Sequence, residues 1–535
     1  RAVSGDQLAP VLIGGEWRPA AAEGSFQAFD PSTGQPLPQA YPISGRADLL
    51  AALEAGSRAA DALATASPAA IAAFLDDFAA RIEAARAELV ATAARETALP
   101  AEPRLNSVEL PRTVNQLRLA AHAARDRDWT SPVIDTQAEI RAWRAPLGGP
   151  VAIFGPNNFP FAFNAVSGGD FAAAIAAGNP VIAKAHPGHP GTTRLLAELA
   201  RAALGAAGLP PAAVQMIYHL PAELGLELVA HPLLGAAAFT GSREAGLLLK
   251  AAADQAGTPI YLELSGVNPV FVLPGALAER TEQIAADFAA SALLGGGQFC
   301  TNPGLLIAPG GAAGERFAAL VAERFAAAPP AVLLGQGVLD RLRANAGLLA
   351  EHGAQPAFEI KVDIKQDGCT CAPLLLRVSG SDFLRQAGAL QTEAFGPASL
   401  LVLADSEDQL AEIAGALGSG LAAAIYSHAA GADDALYARL EPLVRRRVGR
   451  LLNDAMPTGV AVSPAMVHGG PYPASGHAGF TSVGIPASLQ RFTALQSFDR
   501  VRPERLPPEL RDANPTGRLW RWIDGAWTQA DVARA

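Results

Sequence analysis

The alternation of short apolar runs with helical patterns is the feature that most constrains how this chain can fold. Between residues 149 and 266 the apolar runs lie at 151–154, 180–184, 213–219, 236–239 and 260–264. Short buried strands separated by helices form βαβ units with a parallel sheet. A second alternation starts at Pro269 and continues through 305–308, 400–403 and 422–426. We therefore predict an α/β protein with a doubly wound, Rossmann-type domain and a second α/β domain.

Composition narrows the class of protein. The chain has 535 residues, of which 50% are hydrophobic and 17% charged, and its net charge is −10. This length and apolar content suit a multidomain globular enzyme. The acidic balance argues against nucleic acid as a main partner. The apolar window from Phe171 to Lys184 is interrupted by Gly178 and Pro180, so we expect no membrane span.

Cysteine usage points to a reducing compartment. The three cysteines are too few to form a disulfide framework for a chain of this size. Cys369 and Cys371 lack further cysteines or histidines at zinc spacing, so we expect no metal site. The first residues, Arg-Ala-Val-Ser-Gly, contain no apolar core of a signal peptide. We therefore expect a cytoplasmic protein.

Cys300 is the strongest candidate for a catalytic residue. It follows three consecutive glycines, Gly295 to Gly297, at the end of an apolar helical pattern over residues 284–294. Glycine lets the backbone turn sharply and approach a ligand closely, and nearby N–H groups favour the reactive thiolate. A small buried hydrophobic cysteine is the alternative.

Polar residues follow two of the predicted strands. Lys184 ends a buried strand at the edge of the sheet where open α/β folds bind ligands. The segment Phe239-Thr240-Gly241-Ser242 stands at a strand-to-helix junction, where Ser242 can cap the helix and free N–H groups can bind a pyrophosphate. The chain lacks the G-x-G-x-x-G dinucleotide fingerprint.

Taken together, these stretches resemble the aldehyde dehydrogenase superfamily over nearly the whole chain. The matching motifs are Pro156-Asn157-Asn158-Phe159-Pro160, Lys184, Phe239-Thr240-Gly241-Ser242, Leu262-Glu263-Leu264-Ser265-Gly266, Gly297-Gln298-Phe299-Cys300 and Glu393-Ala394-Phe395-Gly396-Pro397. Within the superfamily the likeness is greatest to the branch that oxidises α-ketoglutarate semialdehyde (2,5-dioxopentanoate). That branch is indicated by residues 184–192, 297–304, 457–460, 465–471 and 512–517.

The resemblance implies a role for each motif. Cys300 would attack the aldehyde carbon, and the Asn158 amide with the Cys300 N–H would stabilise the oxyanion. Glu263 would act as general base for hydrolysis of the thioester. Glu393 would hold the nicotinamide ribose, and Phe395 would support the ring. The remaining cofactor residues implied are Phe154, Lys184, His186, Pro187, Gly241 and Ser242.

We predict that NADP is used at least as well as NAD. NAD-preferring relatives usually carry a glutamate three residues after the strand-end lysine. Here that position is Pro187, with His186 beside it. Without a carboxylate to repel it, a 2′-phosphate is tolerated, and Lys184 can pair with it.

The substrate pocket is less clearly marked. Phe159, Phe161, Phe163 and Phe299 are apolar candidates, and we expect a distal carboxylate to need a guanidinium partner. Arg118 is our candidate, because it lies on the helix preceding the active-site domain. The alternative is that Arg112, Arg118 and Arg125, which lie on the same predicted helix, form a solvated face. The branch's usual arginine before Thr-Ser-Val-Gly is missing, since residues 476–480 read Gly-His-Ala-Gly-Phe.

Three alternatives stay open. A medium-chain or fatty aldehyde dehydrogenase shares much of the same sequence, and the four phenylalanines suit it equally well. A thiol hydrolase or acyl transferase would use Cys300 and Glu263 without a nicotinamide, but no histidine stands in a motif that would serve the thiol. A non-catalytic relative used for binding would have little reason to retain Cys300, Glu263 and Asn158 together.

The resemblance also implies a domain division and an assembly. Residues 1–131 and 148–259 would form the NAD(P)-binding domain, and 260–465 the catalytic domain. Residues 132–147 and 466–500 would form a β oligomerisation arm, followed by a tail over 501–535. We expect a homodimer or homotetramer, because an exposed strand near Ile134 to Trp143 needs a partner.

Overall fold

The computed structural model describes residues 8–359 and 368–533. The first seven residues, and with them most of the N-terminal stretch searched for a signal peptide, lie outside that range. Numbered along the chain, the strands are β1 (Val11–Ile13), β2 (Glu16–Arg18), β3 (Ala22–Asp30), β4 (Gln35–Ser44), β5 (Val133–Asp135), β6 (Ile140–Pro146), β7 (Val151–Phe154), β8 (Val181–Lys184), β9 (Val214–Ile217), β10 (Ala236–Gly241), β11 (Ile260–Leu264), β12 (Pro269–Val272), β13 (Leu305–Pro309), β14 (Ala331–Val332), β15 (Gln355–Pro356), β16 (Thr370–Cys371), β17 (Leu374–Ser379), β18 (Ala398–Ala404), β19 (Gly420–Tyr426), β20 (Val448–Asn453), β21 (Thr493–Asp499), β22 (Arg521–Ile523) and β23 (Ala526–Thr528).

The α-helices lie between these strands. They are α1 (Arg46–Leu63), α2 (Pro68–Ala84), α3 (Arg86–Thr97), α4 (Leu110–Asp126), α5 (Gly169–Ala176), α6 (Pro190–Ala207), α7 (Ala222–Ala230), α8 (Arg243–Ala256), α9 (Pro274–Leu293), α10 (Gly311–Ala327), α11 (Gln336–Glu351), α12 (Gly380–Arg385), α13 (Ala387–Leu390), α14 (Glu407–Ala416) and α15 (Asp434–Arg445). Among the described helices, none is long and apolar enough to cross a membrane.

The first sheet is doubly wound, as predicted. Its strand order is β11-β10-β7-β8-β9-β1-β2, and all neighbours from β11 to β9 are parallel. The inner strands are buried because helices cover both faces, and their residues are correspondingly apolar. Phe154, Lys184 and Gly241 end three of these parallel strands. They therefore meet at the carboxyl edge of the sheet, where ligands bind in this architecture.

The second sheet carries the other half of the α/β core. Its order is β15-β17-β18-β13-β12-β19-β20, parallel from β17 to β20. The strand β11 pairs with β10, so residues 260–264 belong to the first sheet, although the predicted boundary assigned them to the catalytic domain. The pairing follows from β11 being the last strand of the first alternation.

A third sheet joins distant parts of the chain. Its order is β21-β6-β5-β22-β23. Ile134 and Trp143 are buried in its small core, so the predicted strand is exposed only in part. The predicted tail over 501–535 does not stand apart, because β22 pairs with β5. At the other edge, Leu495 on β21 is 76% exposed.

Candidate active site

The loop that presents Cys300 is built from glycines. Helix α9 ends at Leu293, and Gly295, Gly296 and Gly297 all have positive φ, between 58° and 68°, a region that other residues rarely adopt. A Cβ at Gly297 would overlap the carbonyl oxygen of Gly396. The loop thus packs directly against the segment of Glu393 and Phe395, which brings the predicted nucleophile and the predicted cofactor residues together.

Two asparagines fix the backbone around Cys300. Asn268 is fully buried, and its amide nitrogen donates to the carbonyl oxygens of Gly266, Cys300 and Asn302 at 3.0, 2.8 and 2.9 Å. The Asn158 amide donates to Gln298 O at 3.0 Å. A side-chain amide has a second N–H donor, which this hydrogen bond leaves available.

A buried histidine stands between Cys300 and Glu263. His468 Nε2 lies 3.4 Å from Cys300 Sγ and 2.5 Å from Glu263 Oε1. The second contact is an ion pair between two buried side chains. Ser482 Oγ donates to Glu263 Oε2 at 2.5 Å. The prediction that no histidine serves the thiol is therefore wrong.

The opposite charges of His468 and Glu263 stabilise each other. Burial by itself lowers the pKa of His468, but Glu263 and Cys300 more than offset this and raise it to about 10. Burial raises the pKa of Glu263, yet the charge of His468 and the Ser482 hydrogen bond hold it below its usual value. The imidazole is thus protonated near neutral pH and places a positive charge beside the sulfur of Cys300.

The same three side chains have the spacing of a metal site. The Cys300 sulfur, a His468 nitrogen and a Glu263 oxygen lie within 4.8 Å of one another. A thiolate, an imidazole and a carboxylate are also ligands that suit Zn²⁺.

A cavity of about 680 Å³ opens at the carboxyl edge of the first sheet. This is within the range of about 300–1,000 Å³ typical of small-molecule sites. Its walls include Asn158, Glu263 and Cys300 and the predicted cofactor residues Phe154, Lys184, His186, Gly241, Ser242, Glu393 and Phe395. Pro187 is half-buried and does not belong to this lining. The cavity thus reaches the sulfur of Cys300.

Burial shifts the pKa values of titratable groups in this cavity. Desolvation lowers the pKa of Lys184 to about 8 and lowers that of His186 well below its ordinary value. Burial raises the pKa of Glu393 to about 7, although Ser265 Oγ donates to its carboxylate at 2.6 Å. Ser242 caps α8 by accepting from Ala245 N at 3.4 Å. The helix N-terminus therefore faces the cavity with its remaining N–H groups.

Aromatic residues line the other side of Cys300. The Phe159 ring lies 5.1 Å from that of Phe163 and 5.6 Å from that of Phe299. Phe161 does not join them, because it is fully buried in the core of the first domain. The chain turns after Pro160, so the side chain of Phe161 points away from those of Phe159 and Phe163.

Arg118 does not reach the site. Its side chain is 51% exposed and forms an ion pair with Glu83 at 2.5 Å. Arg112, one turn and a half earlier on α4, is the inward-facing arginine. Its guanidinium lies 5.7 Å from the Phe163 ring centre and donates to Val460 O. The assignment of Arg112 to a solvated face is therefore wrong, because the helix turns it towards Phe163 and Val460 rather than towards solvent.

Sequence reasoning missed three residues of the site: His468, Asn268 and Arg112. The motif around His468 was recognised as typical of one branch, but the histidine itself received no role. Asn268 directly precedes β12 and has φ 43°, which is unusual for a non-glycine residue. A polar residue between two buried strands was the available signal.

The sequence profile of the aldehyde dehydrogenase family matches residues 17–442. The chain belongs to the aldehyde dehydrogenase family. It is an oxidoreductase that acts on aldehydes. The predicted family, fold class and enzyme class are confirmed.

The chain is similar over most of its length to two semialdehyde dehydrogenases. It is 40% identical to α-ketoglutaric semialdehyde dehydrogenase 2 of Azospirillum brasilense over 518 residues, which is 94% of this chain and 97% of the relative. It is 37% identical to the α-ketoglutaric semialdehyde dehydrogenase of Acinetobacter baylyi over 470 residues, 85% of this chain and 87% of that protein. The predicted likeness to this branch is confirmed.

Solved structures share the fold. Aldehyde dehydrogenase C of Pseudomonas syringae, a cysteine-to-alanine variant bound to NAD⁺ and octanal, superposes with a TM-score of 0.78. Its sequence is 20% identical, and the match covers 95% of this chain and 99% of that one. At this identity the comparison supports the architecture described above.

Proposed function

We propose that this aldehyde dehydrogenase oxidises α-ketoglutarate semialdehyde to 2-oxoglutarate, with NADP accepted at least as well as NAD. The observation that carries the proposal is the position of Cys300. It lines the cavity together with Asn158 and Glu263, and its sulfur lies 3.4 Å from His468 Nε2. The 40% identity to a relative named for that activity supports the choice of substrate.

The first step is attack by the thiolate. His468, protonated and 3.4 Å from the sulfur, stabilises the thiolate before the substrate binds. Attack on the aldehyde carbon gives a hemithioacetal whose oxygen carries the negative charge. The second N–H of Asn158 and the backbone N–H of Cys300 would donate to that oxygen, and removing one such donor typically costs about 2.7–4 kcal/mol.

A bound nicotinamide dinucleotide supplies the hydride acceptor for the oxidation. The residues available to hold it are those of the cavity: Lys184 for a ribose hydroxyl or 2′-phosphate, the α8 N-terminus for the pyrophosphate, and Glu393 for the second ribose. The protein's own contribution is to exclude water and to fix the hemithioacetal carbon at the end of the cavity. Loss of hydride leaves a thioester on Cys300.

Hydrolysis of the thioester needs a base. Glu263 lines the cavity, and its buried carboxylate contacts Ser482 Oγ through Oε2 and His468 Nε2 through Oε1. This carboxylate can accept a proton from a water molecule as the water attacks the thioester carbon. The thiolate then leaves beside the His468 imidazolium, and release of the proton from Glu263 to solvent restores the starting state.

The cofactor preference rests on the groups around Lys184. Burial lowers the pKa of Lys184 to about 8, and Pro187 stands three residues after it, where NAD-preferring relatives usually carry a glutamate. A cation without a competing carboxylate favours a 2′-phosphate.

We also propose that the protein is cytoplasmic and forms a homo-oligomer. Its β21 edge exposes Leu495 and lacks a neighbouring strand in the described chain. An open strand edge of this kind is suited to pairing with another subunit.

Reduced-nicotinamide absorbance tests the proposal. We expect turnover of 2,5-dioxopentanoate with NADP by the wild-type protein and none by Cys300→Ala. Preference for a medium-chain aldehyde would keep the chemistry and replace the substrate. A kcat/KM for NADP far below that for NAD would overturn the cofactor assignment. A monomer mass in light scattering at micromolar concentration would overturn the assembly.

His468 favours a second candidate activity. A thiolate with an adjacent imidazole and carboxylate can hydrolyse activated esters without a nucleotide. We expect p-nitrophenyl acetate to be cleaved slowly by the wild-type protein. If Cys300→Ala cleaves the ester at the same rate, the activity does not come from this site.

A further inference from the structure

Arg112 holds a charge that the described protein does not neutralise. Its side chain is mostly buried on α4, Nε donates to Gln116 Oε1 at 3.3 Å and Nη1 donates to Val460 O. The Nη2 atom is buried without a hydrogen-bond partner in the described residues. A guanidinium stays charged and presents five N–H donors, so an unused buried donor is costly.

Arg112 differs from the arginines near it. Arg104 is paired with Glu109 and Arg118 with Glu83, whereas none of the ion pairs found in the described ranges includes Arg112. Burial lowers the pKa of Arg112, while Glu109, Cys300 and Glu263 oppose that effect from a distance. The guanidinium is thus close enough to feel the reacting groups and has no carboxylate in contact.

A second arginine faces the same loop. Arg450 on β20 donates from Nη1 to Gly459 O at 2.8 Å and from Nη2 to Pro457 O at 2.5 Å, and its Nε is buried without a partner in the described residues. Gly459 N in turn donates to Thr301 Oγ1 at 3.2 Å. The loop over 457–460 is therefore clamped between two cations, next to the residue that follows Cys300.

Apolar side chains pack around Phe163, which lies near both Arg112 and His468. Phe163 lies 5.7 Å from Arg112 Cζ and 6.0 Å from the His468 ring. Val460 and Val483 pack with Phe163 in the same cluster. Neither Arg112 nor Phe163 lines the cofactor cavity. Outside the cofactor cavity, Phe163 thus lies between the Arg112 cation and the histidine that contacts the Cys300 sulfur.

We propose that Arg112, through Nη2, binds the distal carboxylate of an oxo-acid semialdehyde, with Arg450 supplying a second positive charge. This inference rests on the proposed function for its substrate class. The methylene carbons of the substrate would lie against Phe163 and Val460, with the aldehyde at Cys300. A guanidinium is the partner best suited to a carboxylate because it can donate two parallel hydrogen bonds.

Steady-state kinetics with two aldehydes test the subsite. The variants are Arg112→Gln, Arg112→Lys and, as a matched control on the same helix, Arg118→Gln. We expect Arg112→Gln to lower kcat/KM for 2,5-dioxopentanoate about 10- to 100-fold, mainly through KM. Its kcat/KM for pentanal should stay near the wild-type value. Arg112→Lys should recover part of the loss, and Arg118→Gln should match wild type.

Equal losses for both aldehydes would overturn the subsite and leave Arg112 as a support of the Val460 loop. A binding measurement separates this inference from the proposed substrate. Glutarate, which has two carboxylates and no aldehyde, should slow the alkylation of Cys300 by iodoacetamide in wild type but not in Arg112→Gln. If wild type fails to oxidise 2,5-dioxopentanoate yet shows this protection, the substrate is wrong and the subsite stands. Equal protection in both proteins would overturn the subsite.

Discussion

His468 Nε2 lies 3.4 Å from the sulfur of Cys300, although 168 residues separate them in the chain. The contact places a cation beside the thiol and links it to Glu263. The described site therefore joins the proposed attacking group and the proposed hydrolytic base through one imidazole.

Replacing His468 by glutamine should slow the reactions of the thiol. The neutral amide removes the positive charge that favours the thiolate, and loss of acid–base assistance typically costs about 10²–10⁴-fold. We expect slower alkylation of Cys300 by iodoacetamide at pH 7 and a lower kcat. His477→Gln is the control, because that histidine contacts Tyr261 and Phe480 instead. Unchanged alkylation in His468→Gln would contradict the assigned role.

The same residue should make stability depend on pH. Since the pKa of His468 is raised from 6.5 to about 10 in the folded protein, its protonation stabilises the fold fully below pH 6.5. That contribution is lost as the pH rises towards 10. The wild-type Tm should therefore fall more steeply than that of His468→Gln between these values. Parallel Tm curves would show that the imidazole is neutral.

Glu263→Gln should separate the two halves of the reaction. Attack and oxidation do not need the carboxylate, whereas hydrolysis of the thioester does. We expect a burst of about one reduced nicotinamide per active site, followed by turnover slowed about 10²–10⁴-fold. Stopped-flow absorbance measures both phases. A loss of the burst itself would place Glu263 in the first step.

Gly297→Ala should damage both stability and activity. The new Cβ would overlap the Gly396 carbonyl at a positive φ, and strain of this kind costs about 2–4 kcal/mol. Gly415→Ala is the matched control, because it lies in α14 with nothing within 4 Å of the added methyl. Thermal unfolding and kcat should fall in the first variant only. A normal kcat for Gly297→Ala would show that the loop tolerates displacement.

Lys184 should control the use of NADP. Below its pKa of about 8 the ammonium is charged and can pair with a 2′-phosphate, and above that pH it becomes neutral. We expect KM for NADP to rise between pH 7 and 9 more than KM for NAD. In Lys184→Gln this difference between the two cofactors should vanish. The same pH dependence for both cofactors would remove Lys184 from phosphate recognition.

Local patterns predicted the parts of the site that lie within single motifs. Cys300 after three glycines, Lys184 at a strand end and Ser242 at a helix start were all identifiable, because spacing fixes where a turn or strand ends. His468 was not, since its role depends on a loop returning across the sheet edge. Arg118 and Arg112 show the same limit on one helix. Residues six positions apart lie on different faces of a helix, and only the packing of α4 decides which face is buried.

The pairing of β11 with β10 has a consequence for protein engineering. Glu263 stands on a strand of the first sheet, while Cys300 follows the helix that belongs to the second. The two halves therefore cannot be exchanged between relatives as independent modules. A chimera joined between β11 and β12 would combine the proposed nucleophile of one parent with the proposed base of the other. Its turnover would depend on how similarly the two sheets are aligned in the two parents.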